Sequence, residues 1–290
     1  MRRFFILASA AIVALASCAK TQVVYNDAPE EIALKTVNMP MTKAAYNQDL
    51  GVVAFYNGTA NPYFGVTQFT HDGTVWRGGQ NWPLGNALDF VAYGPYTDCS
   101  TNIVVTNTGI QATNVCSDVD FVYTELVNNN GAGYTKQEAA IPMQLKHTKS
   151  KINVNVVNGS NETVTAVTLV DAGQTGDCEI TFGQVPVWTT EKIVKGDYNF
   201  TSVKTHYVIP GTPTTLRITY DSTTPDIKGL NVDINLANES LYNSEDHSDY
   251  PAAQGWLPGY SYTYTIRINS SEILVSASAE AWNEYDNIKN

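Results

Sequence analysis

The sequence predicts an all-β chain, with two β-sandwich domains joined by Greek-key connections and set in tandem behind a secretory leader. Three observations predict it. The composition holds 17 tyrosines, abundant threonine and valine, and only 16% charged residues. Branched and aromatic side chains suit a pleated, half-buried surface better than a helix. Short apolar runs recur along the whole chain with turn residues between them, the pattern of sandwiches. The length of 290 residues, less a leader, suffices for two domains.

The leader occupies residues 1–17. Met1-Arg2-Arg3 is basic, Phe4 to Ala14 is apolar, and Leu15-Ala16-Ser17 stands directly before Cys18. This is the layout of a secretory signal. The apolar run is shorter than the ~20 residues needed to span a bilayer. Leu-Ala-Ser-Cys matches the lipobox of bacterial lipoproteins, in which small residues fit the signal peptidase and the thiol accepts a diacylglyceryl group. Cys18 is therefore the expected lipidation site and the first residue of the mature chain. Each buried lipid methylene contributes ~0.8 kcal/mol, so several acyl chains, palmitate among them, anchor durably. Ala19 after the cysteine, by analogy with known lipoproteins, directs the precursor to the outer membrane.

Residues 18–43 form the next unit. One strand is expected from Glu31 to Val37, between Pro29 and Pro40, followed by an exposed loop ending at Met41-Thr42-Lys43-Ala44. The N-terminal sandwich is expected over 44–148, with strands at Gly51 to Tyr56, Leu88 to Tyr93, Asn102 to Thr106 and Asp120 to Leu126. A helical turn is expected within 136–146, interrupted by Pro142. The polar stretch His147-Thr148-Lys149-Ser150 marks the domain junction. Beyond it the C-terminal sandwich, 149–290, has strands at Lys151 to Val157, Thr163 to Val170, Thr205 to Ile209, Thr215 to Tyr220, Leu230 to Leu236, Tyr260 to Asn269 and Ile273 to Ala281.

Loss of residues 1–17 removes two arginines and no acids, taking the net charge from -11 to -13. Nucleic acid is excluded as a partner, because neutralising phosphates requires a surplus of Lys and Arg on one face. No Gly-rich phosphate loop, His-Glu-x-x-His or Gly-x-Ser-x-Gly occurs. Cys99, Cys116 and Cys178 remain after lipidation, and any of three pairings is open to them in an oxidising compartment. Their spacing fits no zinc motif. His71, His147, His206 and His247 are scattered. Glu245-Asp246-His247-Ser248-Asp249 offers oxygens to calcium but lacks an EF-hand spacing, and a solvated loop is the simpler reading. No metal and no cofactor are expected.

Two further constellations compete with a purely structural reading. Asp118 and Asp120, two apart, share a face if they lie on a strand, and a pair of carboxylates serves acid-base chemistry. Trp76, Trp82, Trp188, Trp256 and Trp282 offer a sugar-stacking platform, although aromatics at sandwich spacing more often fill a core.

Three segments resemble the fimbrillin, or type V pilin, family of Gram-negative surface lipoproteins. Gly78-Gly79-Gln80-Asn81-Trp82-Pro83 followed by Leu88-Asp89-Phe90-Val91-Ala92-Tyr93-Gly94-Pro95 is similar to its Trp-Pro and Phe-x-Ala-Tyr-x-Pro signature. Leu257-Pro258-Gly259-Tyr260 through Ile266 is similar to its Pro-Gly-x-x-Tyr-x-Tyr strand, and Ile273 through Trp282 to its final strand ending in Trp. The resemblance implies transthyretin-like sandwiches and a non-enzymatic fimbrial subunit. It also implies that a protease cuts between Lys43 and Ala44, where the family's arginine is replaced by lysine, with Lys35 as a second candidate. The first strand is then released, and the C-terminal strand of a neighbouring subunit fills the vacancy. The donor strand offers Ile273, Val275, Ala277, Ala279 and Ala281 on one face and Ser276, Ser278 and Glu280 on the other. Its nine residues at ~3.4 Å each span ~30 Å, enough to complete a sheet.

The implied partners are other fimbrial subunits in a homopolymer, the processing protease and the outer membrane, with a host or bacterial surface ligand as a further one. The chain is placed first as a lipid-anchored precursor and then in a surface fimbrium, as a stalk subunit. The alternatives are a tip or anchor subunit and a monomeric glycan-binding lipoprotein of the outer membrane. A glycosidase using Asp118 and Asp120 is a third.

Overall fold

The computed structural model describes residues 30–37, 46–97, 99–137, 139–224, 226–239, 241–243, 249–250, 255–269 and 272–281, with backbone alone for 241–243 and 249–250. The chain is all-β. In chain order the strands are β1 (Glu31–Thr36), β2 (Leu50–Tyr56), β3 (Pro62–His71), β4 (Trp76–Asn81), β5 (Leu88–Gly94), β6 (Asn102–Val105) and β7 (Gly109–Val115). β8 (Val122–Tyr123), β9 (Ile141–Met143), β10 (Lys146–His147), β11 (Ser150–Asn158), β12 (Thr163–Thr181), β13 (Val187–Trp188) and β14 (Val194–Asn199) follow. The rest are β15 (Thr205–Val208), β16 (Thr215–Asp221), β17 (Leu230–Asn235), β18 (Leu241–Asn243), β19 (Asp249–Tyr250), β20 (Tyr260–Ile268) and β21 (Ile273–Ala281).

Three sheets result. Eight strands run in the order β10-β8-β5-β2-β3-β4-β1-β9, six in the order β15-β11-β20-β21-β18-β19, and seven strands make the third, five of them in the order β17-β16-β12-β7-β6. In that third sheet β13 and β14 pair with β12 beside the main path.

The apolar patterning explains the layering. β2 and β5 are buried along nearly their whole length. Leu50, Val52, Ala54, Leu88, Phe90 and Ala92 face one core, shared with Ile32 and Leu34 of β1, Trp76 of β4 and Ile141 of β9. Val53, Phe55, Val91 and Tyr93 face a second core, shared with Ile110 and Ala112 of β7 and Cys178 and Ile180 of β12. A strand covered on both faces is a near-continuous apolar run rather than an alternating one, which is what Leu50–Tyr56 and Leu88–Gly94 are. The third core is a two-sheet sandwich. Ile152, Val154, Tyr262, Tyr264, Ile266, Ala277 and Ala279 face Val167, Leu169, Tyr198, Leu216, Ile218 and Ile234.

β12 joins the parts of the chain on either side of residue 148. Its first residues pair with β16 and β14, and its last six pair with β7 and β13. The stretch expected as a polar junction is interior: Thr148, Lys149 and Ser150 are all fully buried. Thr148 donates to the Phe121 carbonyl at 2.9 Å, and Ser150 to the Leu257 carbonyl at 2.8 Å.

Two local expectations are corrected. Residues 141–143 form β9 instead of continuing a helical turn, because Ile141 and Met143 point inward on either side of an exposed Pro142. Asp118 and Asp120 lie in a turn before β8, not on a strand, and Asp118 adopts a left-handed φ of 54°.

Candidate functional site

β1 is the last strand but one of a sheet made otherwise from later parts of the chain, paired on both sides. On one side it runs antiparallel to β4, with Leu34 opposite Trp76, Ala33 opposite Arg77 and Glu31 opposite Asn81, and a bulge between the last two pairs. On the other it runs parallel to β9, with Leu34 opposite Ile141, Lys35 opposite Pro142 and Thr36 opposite Met143. Its ends are held as well. Trp82 N–H donates to the Glu30 carbonyl and Val37 N–H to the Met143 carbonyl, each at 3.1 Å.

The anchoring is apolar. Ile32 is 0% and Leu34 1% exposed, against Trp76 and Trp82. Burying two such side chains contributes about 1.5–3 kcal/mol each, and each ladder bond adds about 1 kcal/mol. The Glu31–Arg77 ion pair is 3.6 Å long and half exposed, so it adds little. β4 accommodates the arrangement with glycine. A side chain at Gly78 would come within 2.7 Å of the Gln68 carbonyl oxygen, and Gly79 takes a φ of +68°.

In the sheet order β9 adjoins β1 alone. Without β1, a slot one strand wide would separate β4 from β9. Strands repeat every ~4.8 Å, so its two edges would stand ~10 Å apart. Both would present unpaired backbone groups.

The C-terminal strand β21 also occupies an interior position. It pairs antiparallel with β20 through nine residue pairs, from Tyr260 opposite Ala281 to Ile268 opposite Ile273. On its other side it runs parallel to β18. Ala277 and Ala279 are buried, Ile273 and Val275 pack against the same core while partly exposed, and Ala281 is partly exposed. Leu274 and Ser276, on the opposite face, are exposed.

The other candidate residues are dispersed. Cys18, Lys43, Ala44, Trp282 and the segment Glu245 to Ser248 lie outside the described residues, and Asp249 begins β19. Lys35 lies within β1, its side chain exposed but its backbone between β4 and β9. Trp76, Trp82 and Trp256 are buried in cores, and half-buried Trp188 donates its indole N–H to the Thr148 carbonyl at 3.1 Å. These four indoles form no exposed platform. Asp120 is 2.8 Å from His147 Nδ1, and Asp118 is 2.7 Å from His206 Nδ1, so each carboxylate has its own histidine. His71 packs on Trp76 with ring centroids 4.3 Å apart. Among the described residues no three His, Cys, Asp or Glu side chains gather as metal ligands.

The fold has solved counterparts. A protein from Bacteroides uniformis assigned to cell adhesion superposes with a TM-score of 0.57 at 16% identity, over 87% of this chain and 98% of that one. One from Bacteroides ovatus, also assigned to cell adhesion, gives 0.53 at 15% identity, over 88% and 99%. A fimbrial protein from Bacteroides vulgatus gives 0.51 at 15%, over 87% and 99%. At these identities the likeness establishes the all-β fold. Comparison with curated protein sequences gives no match.

The sequence profile of the fimbrillin-like family matches residues 38–282. The chain belongs to that family, as the three sequence segments implied, and is a fimbrial subunit of the surface fimbrium.

Proposed function

We propose that the chain is exported as a lipoprotein through Cys18 and polymerises, as a stalk subunit, by proteolysis-triggered exchange of a β-strand. One observation carries this reading: β1 sits in a slot between β4 and β9, and the segment leading out of that slot contains Lys43. A cut between Lys43 and Ala44 would leave β1 attached to the rest of the chain by noncovalent contacts alone. Lys35 is the poorer target, because a protease binds an extended free chain and the backbone there is paired in the sheet.

The donor would be the strand Ile273–Ala281 of a neighbouring subunit. Ile273 and Val275 repeat the two-residue spacing of Ile32 and Leu34, so they suit the same pair of pockets. Ala277, Ala279 and Ala281 continue that face with small side chains. To be donated, β21 must leave β20 and β18. Two of the side chains it withdraws from its own core are alanines, which hold it less firmly than Ile32 and Leu34 hold β1. Main-chain pairing in the slot then supplies affinity and the alternate pockets supply specificity.

The test is limited digestion of the lipid-free precursor with a lysine-specific protease, followed by N-terminal sequencing and an unboiled gel. A new terminus at Ala44 with a high-mass ladder, lost when 272–290 is deleted, is expected. A cut chain that stays monomeric would transfer the assignment to a tip or anchor subunit.

A further inference from the structure

The start of β1 has a counterpart at β21. Glu31-Ile32-Ala33-Leu34 and Glu272-Ile273-Leu274-Val275 each set an acid directly before two apolar residues that share a face. In β1 this acid has a defined task. Opposite it β4 bulges: Glu31 faces Asn81 and Ala33 faces Arg77, so the single residue Ile32 spans Gly78, Gly79 and Gln80. Gly79, at a φ of +68°, donates its N–H to a side chain, Glu31 Oε1, at 2.8 Å. Glu31 Oε2 lies 3.6 Å from Arg77 Nη1, and Arg77 Nε lies 3.8 Å from Asp72. A bulge is a fixed landmark along a strand. This one is marked by an amide and a cation that both favour a carboxylate.

We propose that Glu272 of the incoming strand takes the place of Glu31 and fixes the register in which a neighbouring copy of the chain docks. The assignment rests on the strand-exchange reading above. With Ile273 and Val275 in the positions of Ile32 and Leu34, Glu272 falls opposite Asn81, beside the Gly79 N–H and the Arg77 guanidinium. Glu272 is exposed in its own subunit, so its carboxylate is presented without uncovering a core. Leu274, 47% exposed on β21, takes the position of Ala33, across from the long, half-exposed side chain of Arg77. A slip of the donor by two residues keeps the apolar face inward but can set Leu274 against the Gly79 N–H, which an apolar side chain cannot satisfy. Glu280 is the other acid on that face of β21, and with it in the place of Glu31 only Ala281 of β21 would follow into the slot. The value of the carboxylate therefore lies in register more than in affinity.

Competition separates register from exchange itself. Uncut lipid-free wild-type and Glu272→Lys chains, in equal amounts and one of them 15N-labelled, compete for a limiting quantity of Val275→Asp chains cut at Lys43, whose own donor strand is disabled. The protease is inhibited before mixing. The isotope ratio in the dimer is read by mass spectrometry after size exclusion at low salt. Residue 272 is exposed, so both donors fold alike. The wild type is expected to be taken up roughly fivefold more than Glu272→Lys, in which like charges meet at Arg77. On acceptors that also carry Arg77→Glu the preference is expected to shrink or invert. Should those acceptors not fold, the salt dependence decides: the preference is expected to vanish at about 1 M salt. Equal uptake at low salt, or a preference indifferent to both Arg77→Glu and salt, overturns the role of Glu272 while the dimers themselves uphold strand exchange. No dimer from either donor overturns strand exchange and the role of Glu272 with it.

Discussion

Lys149 carries its ammonium into a fully buried position, where Nζ donates to the Cys116 carbonyl at 2.6 Å and lies 5.9 Å from the centre of the Trp188 ring. Burial pushes this ammonium down to about 8, against the opposing pull of Asp118 and Asp120. The folded value lies below the ordinary 10.5, so between about 8 and 10.5 the unfolded chain binds more protons. Stability attributable to Lys149 therefore rises with pH across that window. Lys149→Met abolishes the effect. In urea melts, the stability of wild type relative to Lys149→Met is expected to increase by roughly 3 kcal/mol between about pH 8 and pH 10.5. Cys178, whose thiol burial pushes up to about 12 against the opposing pull of Lys149, is present in both proteins, so most of its contribution cancels in the difference. Nothing local in the sequence marks this lysine as interior. His147 to Ser150 has the composition of a solvated linker, and the groups that bury it come from Cys116, Phe121 and Leu257, remote in sequence. Asp118 and Asp120 mislead for a related reason. Two residues of alternation carry too little information to distinguish a strand from a turn.

At the level of single elements, β1 sets the behaviour of the slot. Leu34→Ala leaves a cavity beside Trp76 and Ile141 and is expected to destabilise the precursor by about 2–5 kcal/mol in urea unfolding. Ile32→Ala should act similarly, and both should release the cut strand sooner. Departure of β1 exposes Trp76 and Trp82, now 1% and 6% exposed, so tryptophan emission is expected to shift to the red on cleavage and to return when a donor docks. Unchanged emission after cutting would mean that β1 stays in place. The elements legible in the sequence were those with apolar or alternating runs: β1, β2, β5, β6, the first half of β12, and β11, β15, β16, β17, β20 and β21. β3 and β4 were not, because β3 is largely exposed and β4 is Trp-Arg-Gly-Gly-Gln-Asn, whose glycines resemble a turn until Phe69 and Gln68 are seen against Gly78. β9, at three residues with a central proline, is a strand only because β1 lies beside it. The slot was therefore half visible: its occupant and its proposed donor stand out, while its walls do not.

At the scale of the whole molecule, the slot and the proposed donor are different surfaces of one chain. β1 lies in the eight-stranded sheet and β21 in the six-stranded one. A contact between such surfaces is heterologous and propagates into a filament where an isologous contact would close as a dimer. This separation allows the two functions to be disabled independently. Val275→Asp leaves β21 paired to β20 at a partly exposed position but asks the slot to bury a carboxylate, which costs several kcal/mol. The most direct measurement mixes Val275→Asp chains cut at Lys43, after protease inhibition, with uncut wild-type chains, and reads mass by light scattering after size exclusion. Strand exchange predicts one-to-one dimers, since one chain has a slot without a donor and the other a donor without a slot. Monomers throughout, or a ladder from the cut Val275→Asp chains alone, would contradict it.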